Sequence, residues 1–170
     1  MKHFLYHLIL GSNLGDRVGQ IKLAKRLIFE QIGSIESESA LYETQPWGHA
    51  EQPWFINQAI STSSPLEPAL MLYAIKKIEK EVGRKPAEKW HERHIDIDII
   101  LAENTVVNDE KLTLPHPLFH LRNFTLIPLM EIGANLMHPL LGKTVEELFA
   151  ESRDMGEVFI YNQDEQDNTV

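Results

Sequence analysis

The chain has 170 residues, of which 43% are hydrophobic and 24% are charged, a composition typical of one soluble globular domain. Its 16 basic and 25 acidic residues give a formal net charge of -9, which disfavours nucleic acid and anionic membranes as partners, because a surface of that sign repels them. The absence of cysteine excludes disulfides, a thiolate nucleophile and a cysteine-ligated zinc site. No apolar run is long enough to span a membrane, so we expect a cytoplasmic protein.

The amino-terminal stretch predicts a buried strand followed by a helix. Residues 3–10 are short and apolar and are bounded by Gly11, Ser12 and Asn13, a pattern typical of a buried strand and its turn. Asp16 can cap a helix whose apolar residues recur at helical spacing as far as Ile32. A strand, a glycine loop and a helix also occur in phosphate-binding loops. Because no Gly-Lys-Ser/Thr sequence follows, a structural turn is the better interpretation.

The next part of the chain predicts two strands and a second helix. Residues 35–44 and 54–62 predict the strands, with Trp54 facing the core. Ser64-Pro65-Leu66-Glu67 matches a capping box with proline at the first helical position, and Gly83 suits the end of that helix. Its predicted inward residues are Leu66, Ala69, Leu70, Tyr73, Ile78 and Val82.

The remaining pattern completes an α+β fold. We predict a short paired strand at Val106-Val107, a mostly helical segment over 118–132 that Pro128 interrupts, and a short helix capped by Thr144. The whole suggests a ferredoxin-like, mainly antiparallel sheet with helices on both faces, a three-layer α/β/α arrangement. We expect one domain over 1–161 and a disordered acidic tail over 162–170.

The stretch from Trp90 to Ile100 carries the main chemical signal. From His94 it alternates polar and apolar residues, which predicts a half-buried strand with Asp96 and Asp98 on one face. Two carboxylates at that spacing have Cα atoms about 6.5–7 Å apart and would repel each other unless a cation lies between them. Hard oxygen ligands suit magnesium, and paired metals can hold a phosphoryl group in transfer. The alternative for the strand alone is a solvated acidic edge.

Cationic residues flank the acidic strand. On a chain of net negative charge, such a cluster suggests an anionic ligand such as a nucleotide polyphosphate, since arginine and lysine bind phosphate oxygens. The alternative is a helix carboxyl terminus enriched in cations, which accounts for Lys76 and Lys80 but not for Arg93 or Arg122. The flanking set is Arg84, Lys85, Lys89, Arg93, His116 and Arg122.

Aromatic residues cluster at loops and at the starts of strands. A flat heterocycle needs aromatic faces and an in-plane polar edge, and Thr44 and Asn57 could supply that edge. For any single aromatic residue, a place in the core is the more common outcome. The aromatic set is Trp47, Trp54, Phe55, Trp90, Phe119 and Phe124.

Several motifs in this order resemble the 6-hydroxymethyl-7,8-dihydropterin pyrophosphokinase family, over about residues 8–139. The most specific is Arg93 to Ile99, with its Asp-Ile-Asp core. The others are Gly11-Ser12-Asn13-Leu14-Gly15-Asp16, Tyr42-Glu43-Thr44, Phe55-Ile56-Asn57, Gly83-Arg84, Pro115-His116-Pro117 and His120-Leu121-Arg122.

The resemblance implies a magnesium-dependent enzyme of folate biosynthesis that moves diphosphate from ATP to the pterin hydroxymethyl group and releases AMP. It implies two Mg2+ ions, ATP as co-substrate, small-molecule partners only and a monomer. Asp96 and Asp98 match the metal ligands and, with Arg84 and Arg93, the catalytic set. The pterin-binding positions are Thr44, Gln45, Pro46, Trp47, Phe55, Asn57, Trp90, Asp96 and Phe124. The nucleotide-binding positions are Lys76, Glu79, Arg84, Arg93, Ile99, Thr113, His116 and Arg122.

The chain departs from the family pattern mainly in one loop. His91-Glu92 stands where the family usually has Gly-Pro, and Pro86 stands where a second arginine is common. Two alternatives remain open at this point. One is a non-catalytic pterin- or nucleotide-binding paralogue that kept the pocket. The other is a different small-molecule kinase on the same fold, which would release ADP.

Overall fold

The fold is an antiparallel sheet with helices on both of its faces, and the computed structural model describes residues 2–48, 51–83 and 94–163. The strands are β1 (Phe4–Ser12), β2 (Ser34–Glu38), β3 (Tyr42–Thr44), β4 (Phe55–Ser64), β5 (Asp96–Ala102), β6 (Val107–Asn108), β7 (Thr113–Leu114) and β8 (Val158–Ile160). The six-stranded sheet has the order β5-β1-β4-β3-β8, and β2 also pairs with β4, while β6 and β7 form a separate hairpin. The helices are α1 (Arg17–Gln31), α2 (Pro68–Val82), α3 (Asn123–Gly133) and α4 (Val145–Glu151), with a 3-10 turn over Phe119–Leu121.

Two apolar clusters cover the two faces of the sheet, because side chains alternate between faces along each strand. Leu8, Leu10 and Ile60 point towards α1 and α2 and share a cluster with Ile21 and Ile78. Ile9, Ala59 and Ile100 point the other way and pack with residues of α3 and α4, Leu126 and Leu148 among them. The prediction of an α+β fold with a mainly antiparallel sheet is therefore confirmed.

The helix starts predicted at Asp16 and Thr144 are confirmed. The Asp16 carboxylate accepts a hydrogen bond from the backbone of Gly19 at 2.9 Å. Thr144 forms a capping box with Glu147 at the start of α4. Both caps satisfy backbone N–H groups that have no partner within the first turn of a helix.

The predicted start of α2 at Ser64 is wrong. Ser64 is the last residue of β4, and its buried hydroxyl donates to the carbonyl of Ile32 at 2.9 Å. The helix begins instead at Pro68, after Glu67, and ends at Gly83, whose φ of 113° is in the left-handed region that glycine adopts without strain.

The face of α2 that packs inward also differs from the prediction. Met71, Ile75 and Ile78 are fully buried, whereas Leu70 is 56% exposed and Tyr73 is 73% exposed. Because residues 68–75, the first half of α2, are all apolar, the sequence pattern there did not determine which side of the helix faces the sheet.

The predicted strand over 35–44 is two strands. Between β2 and β3, the Ser39 hydroxyl takes the place of a backbone acceptor and accepts from the Ala59 N–H at 3.0 Å. This side-chain bond keeps residue 39 against β4 while the strand is interrupted. β3 then runs alongside β4 near the beginning of that strand.

Three further predictions concern Val106-Val107, Pro128 and Trp54. The hairpin strand at Val106-Val107 is confirmed, one residue later, as β6 paired with β7. Pro128 lies inside α3, and the helical segment is broken at Arg122 instead. Trp54 lies outside both core clusters: it is half-buried and stacks on Phe159 of β8, with ring centroids 6.1 Å apart.

Within the described ranges, every helix is too short or too polar to cross a lipid bilayer.

Candidate active site

The two acidic residues of β5 lie on the face of the sheet that carries α3. Strand register places Asp96 beside Gly11 of β1, and Gly11 beside Asn57 of β4. Asp98 lies next to Ile9 in the same way. Three adjacent strands therefore bring two carboxylates and one carboxamide to the same face.

A cavity of about 140 Å³ opens over this face. Of the nine predicted pterin-binding residues, eight line it, while Trp90 lies outside the described residues. It also contains Asp98 and Arg122 of the metal and nucleotide sets. The lining is Ile9, Gly11, Thr44, Gln45, Pro46, Trp47, Gln52, Phe55, Asn57, Asp96, Asp98, Arg122 and Phe124.

The polar edge of the cavity is held in a fixed orientation. The Asn57 amide donates to the Thr44 hydroxyl at 2.6 Å, and both side chains are buried. A Cβ placed on Gly11 would lie 2.5 Å from the Asn57 carboxamide oxygen, so only glycine leaves room for Asn57 there. An oriented amide between aromatic walls suits a planar ring with donors and acceptors on its rim.

The carboxylates at the base of the cavity interact electrostatically. Burial, followed by the negative charge of Asp96, raises the pKa of Asp98. The positive charges of Lys76 and Arg122 act in the opposite direction, which shows that both cations lie within electrostatic reach of Asp98. A carboxylate whose ionisation is opposed by burial and by a neighbouring negative charge is stabilised in its charged form by a bound cation.

The two carboxylates fit a magnesium ion that also binds water and substrate better than a metal ion held entirely by protein side chains. In the described part of the chain, no cluster of three or more histidine, aspartate or glutamate side chains is arranged to hold a metal ion. Mg2+ is commonly bound through one or two carboxylates and completes its octahedron with water and substrate phosphates. Asp96 and Asp98 fit that mode, since both line an open cavity with hard oxygen donors.

Arg122 connects the aromatic and acidic parts of the cavity. Its guanidinium carbon lies 4.4 Å from the ring centroid of Trp47 and 5.8 Å from that of Phe124. Burial lowers its pKa, while Asp98 and Asp96 raise it; the group nevertheless remains charged at neutral pH. A half-buried arginine on two aromatic faces can fork onto a phosphate that enters the cavity.

His116 lies close to the same charges but is a neutral donor. Burial and the nearby charge of Arg122 lower its pKa to about 4, against a smaller opposite effect of Asp96. Its Nδ1 accepts from the backbone of Leu118 at 3.2 Å, so at pH 7 the ring proton is on Nε2. The prediction that His116 adds positive charge is therefore corrected: it can donate one hydrogen bond to a phosphate oxygen.

Lys76 and Glu79 form a pair on α2 that reaches β5. The Lys76 ammonium lies 3.0 Å from one Glu79 carboxylate oxygen, and the other oxygen accepts from the backbone of Ile97 at 2.9 Å. Glu79 is 1% exposed, whereas the Lys76 side chain is 48% exposed. The pair thus links α2 to the strand that carries the acidic residues and leaves Lys76 accessible from solvent.

Two further predicted nucleotide-binding residues, Ile99 and Thr113, are described by the structure and do not line the cavity. Ile99 packs in the core shared with α1 and α2, and Thr113 is half-buried on β7. Arg84 and Arg93 lie outside the described residues, as do Lys85 and Lys89.

Sequence reasoning did not assign Ile9, Gly11 or Gln52 to the site, although all three line the cavity. Gly11 offered a usable signal, because a glycine within an apolar strand often marks a close approach of another group. Ile9 and Gln52 carry no such signal.

Comparisons with known proteins agree on one family. A family model described as 7,8-dihydro-6-hydroxymethylpterin-pyrophosphokinase matches residues 7–134. A 2-amino-4-hydroxy-6-hydroxymethyldihydropteridine pyrophosphokinase of Aquifex aeolicus is 41% identical over 146 residues, which are 86% of this chain and 91% of that protein. The protein of the same name from Haemophilus influenzae is 34% identical over 78% of this chain and 84% of its own.

The fold is also similar to that of a solved structure. Wild-type Plasmodium falciparum HPPK-DHPS with pteroate superimposes with a TM-score of 0.72 at 16% identity, covering 88% of this chain and 44% of the other. This chain therefore spans less than half of that larger protein, and the likeness concerns the fold alone.

Proposed function

We propose that this chain, which belongs to the 7,8-dihydro-6-hydroxymethylpterin-pyrophosphokinase family, transfers diphosphate from ATP to the hydroxymethyl group of 6-hydroxymethyl-7,8-dihydropterin and releases AMP. It is a diphosphotransferase of folate biosynthesis, with ATP as its co-substrate. One observation supports this function above the others. A single cavity joins an aromatic and amide pocket for a flat ring to a pair of carboxylates with a nearby arginine.

The pterin end of the cavity is assigned to Phe55, Phe124 and Asn57. The two phenylalanine rings offer apolar contact to the faces of the pterin, and Asn57, held by Thr44, offers its carboxamide to the rim. The backbone over 45–47 lines the same end. These groups orient the hydroxymethyl arm towards Asp96 and Asp98, so that the attacking oxygen is held rather than diffusing.

The acidic end is assigned to metal and phosphate. Asp96 and Asp98 would hold Mg2+, with two ions expected, and bound magnesium would neutralise phosphate charge during the transfer. Arg122 contributes a charge-assisted hydrogen bond to a phosphate oxygen, His116 contributes its Nε2–H, and Lys76 contributes a point charge. Arg84 and Arg93 remain proposed catalytic residues, Trp90 a proposed pterin-binding residue, and Ile99 and Thr113 proposed nucleotide contacts.

We further propose that the fold is the ferredoxin-like, three-layer arrangement, that residues 1–161 form one domain, and that the protein acts as a monomer on small molecules. The two apolar clusters on opposite faces of one sheet support the three layers.

A product assay tests the reaction. The protein is incubated with ATP, magnesium and hydroxymethyldihydropterin, and AMP, ADP and pterin diphosphate are quantified. The proposal requires AMP and pterin diphosphate in equal amounts. ADP would identify a different kinase activity, and pterin binding without AMP would identify a non-catalytic paralogue.

Replacement of Asp96 or Asp98 tests the acidic end. Asp96→Ala and Asp98→Ala should each lower kcat by roughly a hundredfold or more, because metal contacts supply several kcal/mol to transition-state stabilisation. Glu151→Ala, which removes an exposed carboxylate that pairs with Lys143 on the surface, is the matched control and should retain full turnover. Near-full activity of either aspartate variant in saturating magnesium would refute the metal assignment.

A further inference from the structure

The segment over 154–160, here called the C-terminal clamp, lies beyond the residues matched by the family model and touches both walls of the cavity. Its β8 part pairs with β3, which ends at Thr44. The Gln45 N–H then donates to the Glu157 carbonyl at 3.0 Å, so the clamp also holds the backbone that enters the 45–47 wall.

Asp154 attaches the clamp to α3. Its carboxylate accepts from the backbone N–H of Asn123, the first residue of α3, at 2.8 Å, and from that of Gly156 at 2.9 Å. Its backbone carbonyl accepts from the Asn123 side-chain amide at 3.0 Å. A residue 31 positions away in sequence thus caps α3, whose own N-cap residue, Arg122, makes no side-chain cap bond.

The amino terminus of α3 carries two residues of the cavity. Arg122 immediately precedes Asn123, and Phe124 immediately follows it. The bonds from Asp154 therefore fix the backbone between the side chain assigned to phosphate and the side chain assigned to the pterin ring.

A second cavity beside Trp47 and Phe124 makes the positions of these two rings depend on the hydrogen bonds that hold the neighbouring backbone. Trp47 and Phe124 line the cavity over the carboxylates and also a second cavity, of about 450 Å³, whose far side is formed by the clamp. Because both rings border these two cavities and contact Arg122 within the first of them, they are packed less closely than side chains in a core. Their positions depend on where the backbone at residues 45 and 123 is held.

We propose that Asp154 is a positioning residue for the pterin end of the cavity. It acts through Asn123 on Phe124, and it shapes a ring-binding wall without touching the substrate. This inference rests on the proposed function, because it assigns the pterin ring to the wall that contains Phe124.

The test compares Asp154→Ala, Asp154→Asn and Thr144→Ala. Thr144→Ala is the matched control, since it also removes a helix-capping side chain, but from α4. For each protein we would measure kcat, the KM values for ATP and for hydroxymethyldihydropterin, the Kd for the pterin without turnover, and Tm. Asp154→Asn keeps one acceptor oxygen and is a milder change if the alanine variant folds poorly.

Asp154→Ala should raise the KM and Kd for the pterin about tenfold and change kcat by less than about threefold, with Asp154→Asn between it and the wild type. Thr144→Ala should lower Tm to a similar extent while leaving the pterin constants unchanged. Unchanged pterin constants in both Asp154 variants, or an equal rise in Thr144→Ala, would overturn the inference while the proposed function stands. A wild-type protein that neither binds the pterin nor releases AMP would overturn both.

Discussion

His7 should make the stability of the protein depend on pH in a measurable way. It is 4% exposed on β1, and its Nδ1 lies 2.8 Å from the Ser61 hydroxyl. Burial lowers its pKa from 6.5 to about 4, since the charged imidazolium is poorly solvated there. The unfolded chain therefore takes up this proton near pH 6.5, whereas the folded chain resists it until about pH 4.

The direction and size of this pH dependence follow from the linkage between folding and the protonation of His7. Stability from the neutral ring is fully present above pH 6.5, falls as the pH drops towards 4, and levels off below that value. Each unit of pKa difference corresponds to about 1.4 kcal/mol, so the loss reaches about 3 kcal/mol by pH 4. Asp98, whose pKa is raised, contributes in the opposite direction, so only a difference between two proteins isolates His7.

The assay is urea unfolding of the wild type and of His7→Asn at several pH values from 7.5 to 4, followed by circular dichroism. The stability difference between the two proteins should shrink by about 3 kcal/mol over this range. Ser61→Ala keeps the buried ring and should give a profile parallel to that of the wild type, displaced by about 1 kcal/mol. Parallel profiles for the wild type and His7→Asn would refute the argument.

Three other substitutions test the packing described above. Gly11→Ala should raise the KM for the pterin roughly tenfold, which corresponds to about 1.4 kcal/mol, because the new methyl group displaces the carboxamide of Asn57. Steady-state kinetics measure this KM, and an unchanged value would contradict the close contact between Gly11 and Asn57. On α2, Ile78→Ala should lower the free energy of unfolding by about 2–5 kcal/mol, whereas Tyr73→Ala should change it by less than about 0.5 kcal/mol. Denaturant titration measures both, and similar losses would contradict the orientation of the helix.

Local sequence pattern predicted those parts of the fold that local physics determines. The alternation from His94 onward placed Asp96 and Asp98 on one face of β5, because a strand has a period of two. Asp16 and Thr144 were identified as caps because each bonds to a backbone group only three residues away. Where a side chain was used by a distant element, the prediction failed. Ser64 matched a capping box, but its hydroxyl donates a hydrogen bond to the carbonyl of Ile32 and does not cap α2.

The sequence predicted most of the residues that line the site but not the distant strand β8, which pairs with the strand leading into it. The motifs indicated Phe55, Asn57 and Phe124, and the fold brings them to one cavity. By contrast, β8 is three residues long, and its partner β3 lies more than a hundred positions earlier. A strand of three residues is too short to show a periodicity, and its pairing with a strand so distant in sequence cannot be inferred from local pattern.

The bond from Glu79 to the N–H of Ile97 has a consequence for solubility. β5 ends the strand order of the main sheet, and such a strand exposes backbone groups onto which another molecule could add a strand of its own. Here one outward N–H is taken by the Glu79 carboxylate, and the Ile100 carbonyl accepts from the N–H of His116 at 2.9 Å. These two contacts occupy part of the outward edge of the strand that carries the acidic residues, which disfavours intermolecular sheet extension there and leaves the cavity face open.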